Sequence, residues 1–202
     1  MRTIRVLFLR ATPDDHWINR AVSYLDPPFC HVEVEFEMQG LGHMIPRESC
    51  DGQLLSLVAD DARKPRTLAS SIYSGESVFL KERTFSNPNY TILTLNVPDA
   101  SFNRMLRFAQ RAAQGGRQFS SADMLCTLCP FGCNRFYSSS TFCSAYITEL
   151  LQEGSVDAVT RLSPKRMRPS TLYKVLHKAT QQSFSTVPFK IQLMESSSML
   201  RL

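Results

Sequence analysis

The chain has 202 residues, of which 43% are hydrophobic and 20% charged, and its formal net charge is +5. This length suits one domain with a sizeable core, and the composition excludes disordered and collagen-like chains. The first apolar run, residues 4–9, is interrupted by Arg5 and is too short for a signal peptide, and no later run approaches the roughly 18 apolar residues of a membrane span. We therefore expect an intracellular, cytoplasmic protein without a membrane span.

The first hundred residues are rich in strand patterns. Residues 4–9 are predicted to form a short strand, and Asp14 is predicted to cap a helix that runs to about Leu25. Strict alternation of apolar and polar residues over 30–37 predicts a strand with one apolar face. Further strands of an antiparallel meander are predicted at 53–59, 68–72, 78–82 and 90–97, with a hairpin turn at Ser74-Gly75.

The second half of the chain is predicted to be helical. A helix that starts at Asp99 or Ser101 is expected to end at Gly115, and residues 117–137 are expected to be irregular. Two further helices are predicted, one over 142–153 after the hydroxyl-rich residues 138–141 and one that starts at Pro169. The fold class is therefore α+β, with an antiparallel sheet packed against helices.

The domain is predicted to span residues 1–179, followed by a basic, Ser-rich tail over 180–202 whose composition is typical of disorder. Residues 161–202 contain eight Lys or Arg and one acid, Glu195. Such a region could bind an anionic partner weakly, either nucleic acid or lipid. No aromatic residues alternate with the basic ones, which favours a solvated basic helix and tail.

Three of the six cysteines form a C-x2-C-x3-C pattern at Cys126, Cys129 and Cys133. A structural zinc ion takes four ligands, and no fourth Cys or His is adjacent. Free thiols are therefore favoured over a metal site, and no cofactor is predicted.

Cys143 is the strongest candidate nucleophile. It lies in the first turn of a predicted helix, where unpaired N–H groups and the helix dipole stabilise a thiolate. The alternative is a small buried cysteine that packs beside Phe142. His31 is the candidate general base because it opens the alternating strand, on the face opposite Val32. The alternative for His31 is a hydrogen-bonded structural residue.

Four segments occur in a characteristic order, and they are residues 30–36 (CHVEVEF), 141–151 (TFCSAYITELL), 162–164 (LSP) and 168–173 (RPSTLY). Over roughly residues 3–178 the chain resembles the circularly permuted papain-like fold. The branch concerned is the permuted NlpC-type group that includes lecithin retinol acyltransferases, YiiX-like hydrolases and proteins of large DNA viruses. In that branch the His-bearing strand precedes the Cys-bearing helix, as it does here.

The resemblance implies a thiol nucleophile at Cys143, a base at His31 and a third polar residue that orients the imidazole. His43 is the favoured third residue because its spacing from His31 resembles that of the acyltransferases. Glu48, Glu33 and Asp60 remain alternatives, and each has an ordinary reading as a solvated or locally hydrogen-bonded side chain.

The expected function is that of a cysteine-dependent hydrolase or acyltransferase. Its substrate would be a peptide, an amide or an acyl-lipid, and the reaction would pass through an acyl-enzyme intermediate. Two alternatives stay open. The chain could be a catalytically inactive binding or scaffold protein with this fold, or a basic accessory protein that associates with nucleic acid or membrane.

Overall fold

The computed structural model describes residues 1–38, 66–82, 89–128 and 140–185. Two short 3-10 turns lie at Asp157–Val159 and Pro164–Arg166. The strands are β1 (Arg2–Leu9), β2 (His31–Met38), β3 (Arg66–Ser71), β4 (Phe79–Glu82) and β5 (Tyr90–Val97). The helices are α1 (Trp17–Leu25), α2 (Asp99–Gln114), α3 (Ser121–Leu128), α4 (Cys143–Glu153) and α5 (Pro169–Ser185).

The described strands form one sheet in the order β4-β3-β2-β1-β5, and every neighbouring pair is antiparallel. The prediction of an α+β fold with an antiparallel sheet is therefore confirmed. Strands β1 to β4 follow one another as a meander, but β5 pairs with β1 rather than with β4. A buried, largely apolar strand such as β1 needs a neighbour on each side, whereas β4 carries Lys81 and Glu82 at the sheet edge.

Helix α4 packs against β2 and β3 and brings its N-terminus to the start of β2. Its apolar side chains, among them Ile147 and Leu150, share one buried cluster with Val32 and Val34. A buried hydrogen bond of 2.7 Å between Tyr146 Oη and Ser70 Oγ adds a polar contact between helix and sheet. This packing places the first residue of α4 near the first residue of β2.

Both faces of β2 are buried. The apolar face joins the core. The opposite face, which carries the polar residues Glu33 and Glu35, is also buried. Glu35 forms an ion pair of 3.0 Å with Arg5 of β1. A buried carboxylate needs such a partner, because its desolvation would otherwise favour the neutral form.

Two predicted helix starts are wrong in detail. Helix α1 begins at Trp17, after an N-cap at His16 whose ring accepts a hydrogen bond from Ile18 N, and Asp14 does not cap it. Helix α4 begins after Phe142, which has no side-chain cap bond. Of the predicted capping run, Ser140 instead donates to Asp123.

A third helix also differs from the predictions. Helix α3 lies within the region predicted to be irregular, because Ser120 Oγ accepts a 3.0 Å hydrogen bond from Asp123 N and begins a helix too short to show clear periodicity. Helix α5 runs from Pro169 to Ser185, and the predicted domain end at residue 179 stays a prediction. The predicted strand at 53–59 lies outside the described residues. No helix in the described part of the chain is long and apolar enough to cross a membrane.

Candidate active site

Cys143 is the first residue of α4, and its exposed fraction is 2%. The next residue, Ser144, fixes the helix start by donating a 2.7 Å hydrogen bond to the backbone carbonyl of Met167. The first N–H groups of a helix have no partner within the helix, so the sulfur lies where a negative charge is stabilised.

His31 is the first residue of β2, and its exposed fraction is 4%. Its Nε2 atom lies 3.3 Å from Ser71 Oγ, which donates a 2.7 Å hydrogen bond to the carbonyl of Val32. The Tyr73 ring stacks on the imidazole, with ring centroids 4.6 Å apart and an interplanar angle of 15°. Strand, serine and tyrosine together fix both the position and the plane of the ring.

The structure brings Cys143 and His31 together through a side-chain hydrogen bond. Burial by itself would lower the pKa of His31. The negative charge of the Cys143 sulfur, this hydrogen bond and the nearby Glu33 outweigh burial and raise the pKa of His31 to about 9. The imidazole is therefore held in a setting that favours its protonated form.

Glu33 lies behind the imidazole, on the same face of β2. Its Oε1 atom is 3.5 Å from His31 Nε2 and accepts hydrogen bonds from Tyr73 Oη at 2.5 Å and from Tyr90 Oη at 2.8 Å. Burial would raise the pKa of Glu33, but contact with His31 and the two tyrosines lowers it to about 2. The carboxylate is thus ionised at neutral pH and faces the imidazole.

His43, the favoured third residue, lies outside the described residues, as do Glu48 and Asp60. Of the four candidates for the third residue, Glu33 is the one that the described structure places against His31. Tyr73 and Tyr90 were not singled out from the sequence. Tyr90 reaches this site because it pairs with Leu9, which in turn pairs with His31. Only the strand order reveals that these three residues lie side by side across the sheet.

The other cysteines differ in their surroundings. Cys30 is buried, and its pKa rises to about 12, first because of desolvation and then because of the negative charges of Cys143 and Asp15. Cys126 is half-buried, whereas Cys129 and Cys133 lie outside the described residues. In the described part of the chain no three His, Cys, Asp or Glu side chains are grouped so that they could hold a metal ion.

A small cleft opens beside Cys143, between α1, α3, the start of α4 and the segment before α5. Its empty volume is about 230 Å³, part of it open to solvent. The site thus combines a thiol at a helix start, a buried imidazole, an ionised carboxylate and an adjoining cleft.

Comparison of the chain with protein-family models, with curated proteins and with solved structures finds no match. The interpretation of the site therefore depends on its own geometry.

Proposed function

We propose that this chain is a cysteine-dependent hydrolase or acyltransferase that forms an acyl-enzyme intermediate on Cys143. The observation that carries the proposal is the hydrogen bond between Cys143, at the start of α4, and His31, at the start of β2. A thiol and an imidazole in contact, with a third group that orients the imidazole, form the arrangement of an activated cysteine nucleophile.

The reaction needs one proton carrier. His31 holds the thiol proton before the attack, as its raised pKa favours, and the Cys143 sulfur then bonds to the acyl carbon while the carbonyl oxygen becomes an oxyanion beside the N–H groups of the first turn of α4. His31 then gives the proton to the leaving amine, alcohol or thiol, and a thioester remains on Cys143. Water, or another acceptor that loses its proton to His31, attacks the thioester and regenerates the thiol.

Glu33 acts in this proposal as a positioning residue. Its carboxylate lies 3.5 Å from His31 Nε2 and stabilises the protonated ring. The two tyrosine hydroxyls hold the carboxylate in place, so the ring cannot turn without losing the Glu33 contact. This role is assigned to Glu33, and the prediction that His43 contributes stays a prediction.

A circularly permuted papain-like fold is the finer architecture that we propose. It is supported by the chain order of a His-bearing strand before a Cys-bearing helix, and by the packing of α4 against the centre of an antiparallel sheet. Peptide, amide and acyl-lipid substrates all fit this chemistry, since each offers an acyl carbon to the sulfur.

The test is labelling of the full chain with an acylating activity probe, such as an activated thioester, followed by mapping of the modified residue. We expect acylation at Cys143 that is lost in Cys143→Ala, falls at least about tenfold in His31→Ala, and persists in the matched control Cys126→Ala. Equal acylation of wild type and His31→Ala would contradict the proposal.

A binding or scaffold protein is the second candidate function. The low exposure of Cys143 and His31 favours it, because a substrate must reach both side chains. Absence of acylation in a folded wild-type chain would support this candidate. Salt-dependent binding to an anionic partner that persists in Cys143→Ala would instead indicate a binding function. The exposed basic residues of α5, Lys174 and Lys178, would then be the binding site.

A further inference from the structure

Arg168 is the one charged side chain in the lining of the small cleft beside Cys143, among the residues that the structure describes. It is half-buried and comes directly before Pro169, the first residue of α5. Cys143 lines the same cleft, which is partly open to solvent. A positive charge and the proposed nucleophile therefore share one opening.

The guanidinium of Arg168 is held in place by the end of α3. Its Nε atom donates a 3.0 Å hydrogen bond to the carbonyl of Thr127, and Nη2 donates one of 3.4 Å to the carbonyl of Leu128. The last carbonyls of a helix lack partners within the helix, so they favour a cation. A guanidinium has five N–H groups, and these bonds use one on Nε and one on Nη2. The remaining N–H groups, on Nη1 and Nη2, are available to a ligand.

No carboxylate in the described part of the chain forms an ion pair with Arg168. Two acidic side chains on the elements beside it have other partners. Asp26 accepts a 3.1 Å hydrogen bond from Ser170 N, and Asp123 accepts one of 3.2 Å from Ser140 Oγ. A half-buried cation loses part of its hydration, and a partner of opposite charge offsets that loss. An anion at Arg168 would therefore be stabilised.

The residues just before Arg168 add to the positive charge. Lys165 and Arg166 belong to the 3-10 turn Pro164–Arg166, and both are exposed. Thr127 Oγ1 donates a 2.9 Å hydrogen bond to the carbonyl of Lys165, which fixes this turn against the end of α3. Positive charges around one opening raise the local concentration of anions. This side of the cleft therefore attracts an anionic ligand.

We propose that Arg168 binds an anionic group of the acyl donor, a carboxylate or a phosphate, close to the carbonyl that Cys143 attacks. This inference rests on the proposed function. The planar guanidinium offers parallel N–H donors, and carboxylates and phosphates both accept them in pairs. The bonds to Thr127 and Leu128 fix the guanidinium before a substrate arrives, so little side-chain freedom is lost on binding. Arg168 thereby selects substrates with a negative charge near the reacting bond.

The first test compares two alkylating reagents of nearly equal size at Cys143. Iodoacetate is anionic and iodoacetamide is neutral, and with each the sulfur displaces iodide and forms a thioether. Each rate is divided by the rate of the same reagent with glutathione, and the modified residue is mapped by mass spectrometry. We expect Arg168→Gln to reduce the iodoacetate-to-iodoacetamide ratio at least about fivefold. An unchanged ratio in the folded variant would overturn the inference.

Arg166→Gln is the matched control for this test. It removes the same charge two residues away, at an exposed position that is not part of the cleft lining. Its ratio should stay within about twofold of the wild-type value, because solvent and salt screen an exposed charge. Equal losses in the two variants would show that the general positive charge of this segment attracts the anion, and would overturn the assignment to Arg168.

A second measurement uses only the wild-type chain, so it stands even if Arg168→Gln does not fold. Inorganic phosphate or acetate replaces chloride at constant ionic strength, and alkylation of Cys143 by iodoacetate is followed. We expect at least one of the two anions to slow the reaction in a saturable way, because it competes with iodoacetate for the guanidinium. The anion that protects at the lower concentration distinguishes a phosphate-bearing donor from a carboxylate-bearing one. Protection by neither anion would overturn the inference.

Failure of the two proposals can be told apart with three thioesters. They are neutral propionyl-N-acetylcysteamine, its succinyl counterpart with a carboxylate on the acyl group, and propionyl-phosphopantetheine with a phosphate on the leaving group. Turnover of all three at rates that Arg168→Gln does not change would retain the enzyme and overturn the anion site. An Arg168-dependent preference for iodoacetate, without turnover of any thioester, would support the anion site and overturn the catalytic proposal.

Discussion

At the scale of single residues, the charges of the site depend on one another. His31 lies between the Cys143 sulfur and the Glu33 carboxylate, and both raise its pKa against the effect of burial. Glu33 in turn has its pKa lowered by His31 and by two tyrosine hydroxyls. A change to one of these side chains therefore alters the protonation of its neighbours.

Cys143 should be the first of the six cysteines to react with limiting iodoacetamide at neutral pH. Its contact with His31 provides an acceptor for the thiol proton, whereas burial and two negative charges keep the Cys30 thiol protonated, with a pKa of about 12. We expect His31→Ala to slow alkylation of Cys143 at least about tenfold, as measured by peptide mass spectrometry. Earlier labelling of the half-buried Cys126 would indicate that Cys143 is a packed core thiol.

Glu33→Gln should lower stability at neutral pH and flatten its dependence on pH in acid. The folded-state pKa of Glu33 is lowered from 4.5 to about 2, so its contribution is present above pH 4.5 and is lost as the pH falls towards 2. The shift corresponds to about 3 kcal/mol. Urea unfolding at several pH values measures this contribution.

The matched control for that experiment is Glu76→Gln, which makes the same change at an exposed position. NMR titration of His31 gives an independent readout, because loss of the Glu33 charge should lower the pKa of His31 from its value of about 9. An unchanged His31 titration in Glu33→Gln would show that Glu33 does not act on the imidazole.

At the scale of elements, helix α4 is held at both ends. Ser144 fixes its first turn to the carbonyl of Met167. At the other end, Arg104 of α2 donates to the carbonyls of Glu153 and Gly154, at 3.0 and 3.3 Å. The last carbonyls of a helix lack partners within the helix, so a cation there satisfies them and favours the helix dipole.

Arg104→Ala should reduce the free energy of unfolding by about 1–3 kcal/mol, because it removes charged hydrogen bonds to the end of α4. Arg107→Ala is the matched control, since Arg107 lies on the same helix and is exposed. Its effect should stay within about 0.5 kcal/mol. Chemical denaturation measures both values, and equal effects would show that Arg104 does not anchor α4.

At the scale of the whole molecule, Ser170 joins the last helix to the first third of the chain. Its Oγ donates to the carbonyl of Asp26 at 2.8 Å and accepts from Phe29 N at 3.4 Å. The Asp26 carboxylate accepts from Ser170 N at 3.1 Å and so caps the start of α5. These bonds fix the segment that leads into β2 and therefore into His31.

Ser170→Ala should lower the free energy of unfolding by about 1–3 kcal/mol, because it leaves the buried N–H of Phe29 and the partly buried carbonyl of Asp26 without their partner. Thr171→Ala, at an exposed position of the same helix turn, should have little effect. Thermal unfolding followed by circular dichroism measures the difference. Similar melting temperatures for Ser170→Ala and wild type would show that the last helix docks without this residue.

The sequence by itself determined the elements whose signals are local. The alternation over 30–37 predicts β2 to within one residue, the predicted strand at 90–97 matches β5, and α4 ends at Glu153, before the glycine at 154. These features follow from side-chain periodicity and from backbone preferences that act over a few residues. The residue that caps α4 was less predictable, because Ser140 donates instead to Asp123, which is distant in the sequence.

Only the tertiary structure decided which polar side chains share the site. The contact of Cys143 with His31, the place of Glu33 behind it and the arrival of Tyr73 and Tyr90 depend on strand order, register and the packing of α4 on β2. The same holds for the burial of both faces of β2, which its alternating sequence does not reveal. Periodicity assigns a residue to a face, but what covers that face is set by contacts between segments far apart in the chain.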